Sequence, residues 1–514
     1  MQEFSYMRDR GVSQELSKYF VSGLRRFFSG IMLSRISGLG RDLVMAYAFG
    51  DHPAVAAFLI AFRFSNLLRR FFGEGPLQSA FIPHFEGLRS QGEEAAYGFF
   101  RKLTGLLSGI LLAIVVVLEL GLGSTFGFLS PEAREIVSLT TWMLPSLLFI
   151  CLYGLNVSFL QCHNAFFVPS IAPFLCNSMW ILGAFYLKGK LPSEAMHALA
   201  KWVLIGFVLQ WAVTLPQMRR FLKGKIAAPL MHKEVKKLAK TFSLGALGVG
   251  AIQINTFLDV IFARCAHVSG PVYLWYANRF QQLALAMLGI AAVNTLVPLL
   301  SRAIKQGEME KGKEVFTFGC RRVLTMMLPM TLAIYTLGFS AIDLVFGRGN
   351  FSLYAVNQTT GCLAAYGLGL IPSTLIMLYS AVLYAEGNFR IPTLFSLMTV
   401  GVNLGLNTLF VFGLGLGPIS TALATSLGAW CNYFALRQVL LRKGWQMGYS
   451  FRSLSHLLGA ALVASFITFS VEPVLRQFLS SKLLLFIIPG CLFVGVLALY
   501  ALVFNHRDLK ALAK

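Results

Sequence analysis

Five arginines stand inside apolar sequence between Met32 and Pro83, in the run MLSRISGLGRDLVMAYAFGDHPAVAAFLIAFRFSNLLRRFFGEGPLQSAFIP. Arg35 and Arg41 flank the Gly38/Gly40 pair with Ser34 and Asp42 beside them, and Arg63, Arg69 and Arg70 share the next apolar segment with Asn66 and Glu74. A guanidinium is a planar fork that meets phosphate or carboxylate oxygens two at a time. Each charge held at membrane depth costs about 2.5 to 3.5 kcal/mol on insertion-derived scales, so a chain that keeps several must pair them or use them on a ligand. Arginines snorkelling to a headgroup layer are the plain alternative. Position weighs against it for Arg35 and Arg41, which lie 10 to 16 residues beyond the basic pair Arg25/Arg26. At helical rise that is about 15 to 24 Å into a hydrocarbon core about 30 Å thick.

Helical spacing sorts these charges. Arg63, Arg70 and Glu74 fall at i, i+7 and i+11 on one stripe, so Arg70 and Glu74 can pair, and a structural or gating role is as open to them as a binding one. Arg69 lies about 100° round the helix from Arg70, near Phe62, Ser65 and Phe72, with no acid at helical spacing, which makes it the leading ligand residue. Arg35 and Asp42, seven apart, are placed to pair; Arg41 shares a stripe with Ser34 and is the less committed arginine. A second chemistry lies further along, where Asp259 is joined by Asn403 and Asn407, one helical turn apart. A carboxylate with amide carbonyls is a hard-oxygen set that suits Na⁺, although the same side chains can simply tie helices together by hydrogen bonds. No HExxH, P-loop or GxSxG stretch is present, and His163, His267 and His456 stand alone, so an enzyme is not expected.

The elements that must position these groups are membrane helices. A chain of 514 residues that is 56% hydrophobic and 13% charged, with mean hydropathy +0.68, reads as an all-α polytopic membrane protein. Apolar segments fall near 24–48, 54–80, 102–122, 136–160, 168–186, 199–217, 238–263, 272–300, 320–340, 357–384, 391–412, 417–440, 454–471 and 482–505, fourteen candidate spans. Gly38/Gly40, Pro145 and Pro372 are expected to interrupt their helices, which lipid tolerates only where freed backbone groups face protein or water. The net charge of +22 sits largely in loops, so it marks topology and no nucleic-acid partner is expected. The connections 218–240 and 301–322 are the most basic and both follow even-numbered spans, so those gaps and both termini are expected in the cytoplasm. The eight cysteines are scattered without metal spacing, and the polar first twenty residues carry no cleaved signal peptide pattern.

The two halves repeat. Asp42, Arg63, Pro83 and Gln91-Gly92-Glu93 recur as Asp259, Arg279, Pro298 and Gln306-Gly307-Glu308, at offsets of 217, 216, 215 and 215. The expected organisation is a polar extension (1–23), a six-helix lobe (24–217), a basic linker (218–237), a second six-helix lobe (238–440), and a last helix pair with a tail (441–514). Repeats of this kind in transporters put the substrate between the lobes near the midplane.

SRISGLGRDLVMAYAFG, AFRFSNLLRRFFGEGPLQSAFIP, YANRFQQLALAMLGIAAVNTLVPLLS and LVFGRGNFS resemble the signature stretches of the MurJ (MviN) family of lipid II flippases, within the multidrug/oligosaccharidyl-lipid/polysaccharide exporter superfamily. The resemblance runs through the first twelve spans in order. It implies a fourteen-helix protein of the bacterial inner membrane that carries lipid II, the lipid-linked peptidoglycan precursor, to the outer leaflet, with cell-wall synthesis or division proteins as further partners. It also implies functional roles for Arg35, Arg41, Arg69 and Arg279, and assigns the glutamate of the second span to Glu74. Two acids usual in the family are replaced here, by Ala56 and Asn278, which puts acid-dependent steps in doubt.

Lipid II carries a diphosphate, and each guanidinium contact with phosphate is worth about 1.5 to 3 kcal/mol net. Arg35, Arg41, Arg63, Arg69, Arg70 and Arg279 outnumber Asp42, Glu74 and Asp259, so an empty site is net positive and the membrane potential is expected to drive its return, with Na⁺ as a candidate coupling ion and no other cofactor. Two other readings stay open: an exporter of small molecules or another lipid-linked oligosaccharide on the same fold, whose drug-binding form should have an aromatic, acidic pocket, and a non-transporting scaffold for envelope assembly, which needs no aligned arginines.

Overall fold

The computed structural model describes residues 32–72, 76–222, 242, 250, 253–446, 448 and 451–503. The expected N-terminal extension, most of the basic linker, Glu74 and the chain's last residues lie outside the described residues. Among those described, every regular element is a helix, since an apolar chain in lipid must satisfy its backbone groups within each segment.

The chain divides into two compact units, residues 1–49 with 57–253, and residues 50–56 with 254–514. In the first, α1 (32–49) is followed by α2 (Pro53–Phe72), α3 (Pro76–Arg89), α4 (Glu93–Thr125), α5 (Pro131–Met143), α6 (Ser146–Cys162), α7 (Phe167–Leu187), α8 (Pro192–Ala212) and α9 (Leu215–Leu222). The second holds α10 (253–266), α11 (Gly270–Ala284), α12 (Ala291–Lys305), α13 (Met309–Val345), α14 (Leu353–Gly367), α15 (Leu370–Ala385), α16 (Arg390–Thr408), α17 (Ile419–Arg442), α18 (Phe451–Phe478) and α19 (Lys482–Val503). The expected segments overlap described helices, those near 24–48, 54–80, 238–263 and 482–505 only in part because the remainder lies outside the described residues. Nine are long and apolar enough to cross a membrane by themselves among the described residues, and α5 with α6 make a tenth bent by 42°.

That bend falls at Pro145, whose missing N–H and ring break the helical ladder as the sequence predicts. Pro372 sits in the first turn of α15, just after the Leu368–Gly369 turn that ends α14. Gly38 and Gly40 do something else: α1 runs through them without a break. A Cβ at Gly38 would stand 3.7 Å from Asn177 Nδ2 and one at Gly40 3.8 Å from Ile181 Cδ1, so the glycines bring α7 onto α1. Serines start two elements, Ser130 accepting from the Ala133 amide at 3.4 Å before α5 and Ser352 from the Ala355 amide at 3.1 Å before α14.

An aromatic core of Phe81, Phe85, Phe99, Phe100 and Phe159 joins α3, α4 and α6 in the first unit. In the second, α18 and α19 pack on α13 through Leu328, Leu457, Ala460, Ala461 and Ala501. Polar bonds fix the ends of that pair: Ser340 donates to Glu472, Arg476 to the same carboxylate at 2.6 Å, and Lys482 to Asp343 at 2.6 Å.

Candidate functional site

The charges of α1 are set by α7. Arg41 donates to Asp42 Oδ1 from Nη2 at 2.8 Å and from Nε at 3.1 Å, and to Asn177 Oδ1 from Nη1 at 3.3 Å. Its guanidinium lies 4.6 Å above the Trp180 ring, and the Arg41 and Asp42 side chains keep only 11% and 4% of their exposure. Trp180 is held edge-on by Phe58 and Phe62 of α2, with ring centroids 5.2 and 4.8 Å away, and Phe62 stacks in turn on Phe207 of α8. Asn177 also donates to Ser37 Oγ at 2.9 Å and to the Ser34 carbonyl at 3.3 Å, which locks the first turns of α1 to α7.

This corrects the expected pairing. Asp42 takes Arg41, and Arg35 is exposed without an ion pair among the described residues. Stripe geometry ranks Arg35 with Asp42, but a long side chain can fold back to its neighbour when another helix supplies a ring and an amide to hold it there. Asn177 and Trp180 were missed from the sequence; the legible signal was an asparagine in the otherwise apolar run PFLCNSMWILG.

On α2, Arg63 and Arg69 are half-buried and Arg70 is exposed. Asn66 donates to the carbonyl of Phe62 at 3.0 Å, within its own helix. The expected Arg70–Glu74 pair lies outside the described residues.

In the second unit Arg279 stacks its guanidinium on Trp275, one turn back on α11, at 4.5 Å. Asn278, where an acid is usual in the family resemblance, enters an amide ladder with Gln281 at 3.2 Å and Gln282 at 2.7 Å. Six residues of π-helix, Leu285–Ile290, follow α11 directly, a local widening often found beside functional sites.

Asp259, Asn403 and Asn407 come together as the sequence suggested. Asn407 Nδ2 donates to Asp259 Oδ1 at 2.9 Å and to Asn403 Oδ1 at 2.7 Å, while Thr425 Oγ1 donates to Asp259 Oδ2 at 3.0 Å. With the Asn403 amide turned over, its nitrogen reaches Asp259 Oδ1 at 3.0 Å and Asn255 Oδ1 at 3.2 Å. All three core members are buried, and Asn407 Oδ1 is a buried acceptor with no hydrogen-bond partner among the described residues. Thr425 and Asn255 were not foreseen, because α17 and the start of α10 carry no charge to mark them.

Comparison with known proteins decides the family. The sequence profile described as "Lipid II flippase MurJ" matches residues 45–504. The chain belongs to the lipid II flippase MurJ family. A relative from Chlamydia muridarum (strain MoPn / Nigg), named "Probable lipid II flippase MurJ", is 33% identical over 460 residues, covering 88% of this chain and 85% of that one. Among solved structures, "Lipid II flippase MurJ, inward closed conformation" superposes with TM-score 0.77 at 23% identity, covering 94% of this chain and 99% of the other. A multidrug resistance MATE family transporter of the MOP superfamily in its inward-facing conformation gives TM-score 0.65 at 14% identity, over 83% and 100% of the two chains. At those identities the two structures speak to the fold, the MurJ and MATE-like helical bundle.

Proposed function

We propose that the chain is a transporter, not an enzyme, that moves lipid II from the cytoplasmic to the outer leaflet of the bacterial inner membrane by alternating access, with both termini in the cytoplasm. Membership of the MurJ family supports the substrate, and the observation that carries the mechanism is Arg41, held among Asp42, Asn177 and Trp180 inside an apolar unit. An arginine fixed by a ring and an amide has already lost its rotamer freedom, so presenting it to a diphosphate costs less ordering entropy. Arg35, Arg41, Arg69 and Arg279, with Ser34 and Asn66, are the proposed headgroup contacts, while Asp42, Arg63, Arg70 and Glu74 set the charge and gating of the path. The small-molecule and scaffold alternatives have no observation in their favour.

The cluster in the second unit is the proposed Na⁺ site. Asp259 would supply charge, and Asn255, Asn403, Asn407 and Thr425 neutral oxygens; Asn407 Oδ1, buried and without a partner among the described residues, is the atom whose environment a cation would complete. A bound cation there would neutralise Asp259, and the same five residues tie α10, α16 and α17 together.

The experiment compares Arg69→Ala and Arg279→Ala with the corresponding lysine variants, at matched membrane levels, in a leaflet assay of lipid II. The alanine variants should flip about 10- to 100-fold more slowly, the rate equivalent of losing one guanidinium–phosphate contact, and lysine should restore part of the rate because a point charge cannot reproduce the fork. Full activity of Arg69→Ala would remove the main proposed contact.

A further inference from the structure

One end of the first unit carries an open groove of about 440 Å³, lined by Arg89, Glu93, Tyr97, His163, Asn164 and Arg220 where α3, α4, α6 and α9 meet. The loop charges assign this end to the cytoplasm. The groove is built from ordered contacts. Tyr97, 2% exposed, places its hydroxyl 3.0 Å from His163 Nε2, and His163 Nδ1 lies 2.9 Å from the carbonyl of Phe159. A ring nitrogen facing a carbonyl must carry the proton, so in the neutral ring Nε2 accepts from the tyrosine. Arg89 donates to the Cys162 carbonyl at 3.1 Å, capping α6. Arg220 is exposed and makes no hydrogen bond or ion pair among the described residues.

The repeat supplies a control within the same chain. α6 ends on Asn164 at φ 55°, with the Asn164 amide donating to Gln161 and that of Ala165 to Leu160 at 3.0 and 2.9 Å. α15 ends the same way 223 residues later on Gly387 at φ 77°, with the Gly387 and Asn388 amides donating to Tyr384 and Leu383. In the second unit that corner is filled by its own side chains. Glu386, at the position of His163, accepts from Lys443 and from Trp445 Nε1 at 3.3 Å. Trp445 is 2% exposed, and at Gly312, 215 residues after Tyr97, a Cβ would stand 3.3 Å from its ring. Among the described residues the first unit instead keeps a groove at this corner, lined by two guanidiniums, an imidazole and an amide against the carboxylate of Glu93, with Glu86 3.6 Å from Arg89 Nη1. It also places Asn at a left-handed position where glycine costs nothing.

We propose that this groove binds a phosphate group, carried either by a lipid headgroup or by a soluble ligand, at the cytoplasmic face of the first unit. Arg220 and Arg89 supply the charge, Asn164 an amide donor, and His163, once protonated, further positive charge, its Nε2–H then donating to Tyr97 and leaving the tyrosine hydroxyl to donate outward. Burial holds the His163 pKa below the ordinary imidazole range. The charged and titratable groups facing it are Tyr97 and Glu93 of α4 and Arg89 and Glu86 of α3, with Phe221 of α9 stacked on its ring. A bound anion favours the imidazolium, so binding should strengthen as pH falls through the lower imidazole range.

The test uses the full chain purified in detergent, with sodium and ionic strength held fixed, and follows the thermal unfolding midpoint against inorganic phosphate at acidic and neutral pH. Phosphate should stabilise the wild type, more so at acidic pH. Arg220→Gln should need at least about fivefold more phosphate for the same shift, the scale of one weakened charge-assisted contact, and Lys305→Gln on the second unit should behave as wild type. His163→Gln should lose the pH dependence, and Asn164→Gly, which keeps the helix cap, should weaken the response. The same variants in phosphatidylcholine nanodiscs with and without phosphatidic acid identify the source: a response there but not to inorganic phosphate assigns the site to a lipid headgroup, and the converse to a soluble phosphate. If neither probe separates wild type from Arg220→Gln, the groove is no phosphate site.

Discussion

The guanidinium of Arg41 is fixed by a carboxylate, an amide and an indole at once, and a pair that buried is costly to break from one side. Asp42→Asn should lower stability by about 3 to 5 kcal/mol by leaving the arginine uncompensated, read from thermal unfolding of the purified protein. Arg41→Met with Asp42→Leu should recover most of that stability and none of the transport, separating the folding role of the pair from its binding role. The arginines themselves were legible in the sequence, because charge in an apolar run has few explanations. Which arginine meets Asp42 was not, since the answer rests with Asn177 and Trp180, 136 and 139 residues downstream of Arg41. Asp259, Asn403 and Asn407 were legible as a group for the same reason, and Thr425 was not, a threonine in α17 being unremarkable until Asp259 lies 3.0 Å away. If this cluster holds Na⁺, replacing choline with Na⁺ should raise the wild-type unfolding midpoint and leave Asp259→Asn unmoved; equal shifts in both would leave the cluster a purely structural tie.

At the scale of elements, breaks and close approaches decide how the helices present these groups. Gly50, at φ 62° between α1 and α2, would bring a Cβ within 2.1 Å of the Asn350 carbonyl, and the next residues are fastened by Tyr273, whose hydroxyl donates to Asp51 at 2.7 Å. Gly50→Ala should therefore destabilise by more than the roughly 1 kcal/mol of left-handed strain alone. Gly387→Ala, at φ 77° with open space around it, should cost about that strain and no more, and the ordering of the two unfolding midpoints checks the argument. Proline was the readable punctuation: Pro145 bends its span because its chemistry leaves no alternative. Gly38 and Gly40 read equally as a break or as a packing surface, and only the approach of α7 distinguishes the two. The helical segments and the internal repeat were visible because hydropathy and spacing are properties of one strand of sequence. The π-turns after α11 and α16 were not, since they depend on how neighbouring helices fit.

For the molecule as a whole, the excess of arginine over acid in the proposed path has an energetic consequence. Moving net positive charge toward the inside-negative face gains up to about 2.3 kcal/mol per elementary charge per 100 mV, so the empty carrier's return is the step that the potential should speed. Collapsing the potential with a K⁺ ionophore at fixed pH and Na⁺ gradients should slow lipid II appearance in the outer leaflet; an unchanged rate would shift the driving role to the Asp259 cluster. The measurement that bears most directly on the central claim is simpler. In cells depleted of their own lipid II flippase, this chain is expressed and lipid II is assigned to each leaflet by its accessibility to an impermeant reagent. Restored outer-leaflet lipid II with wild type, and not with Arg69→Ala at equal membrane abundance, is the predicted result; lipid II that stays in the inner leaflet with wild type correctly inserted would contradict it.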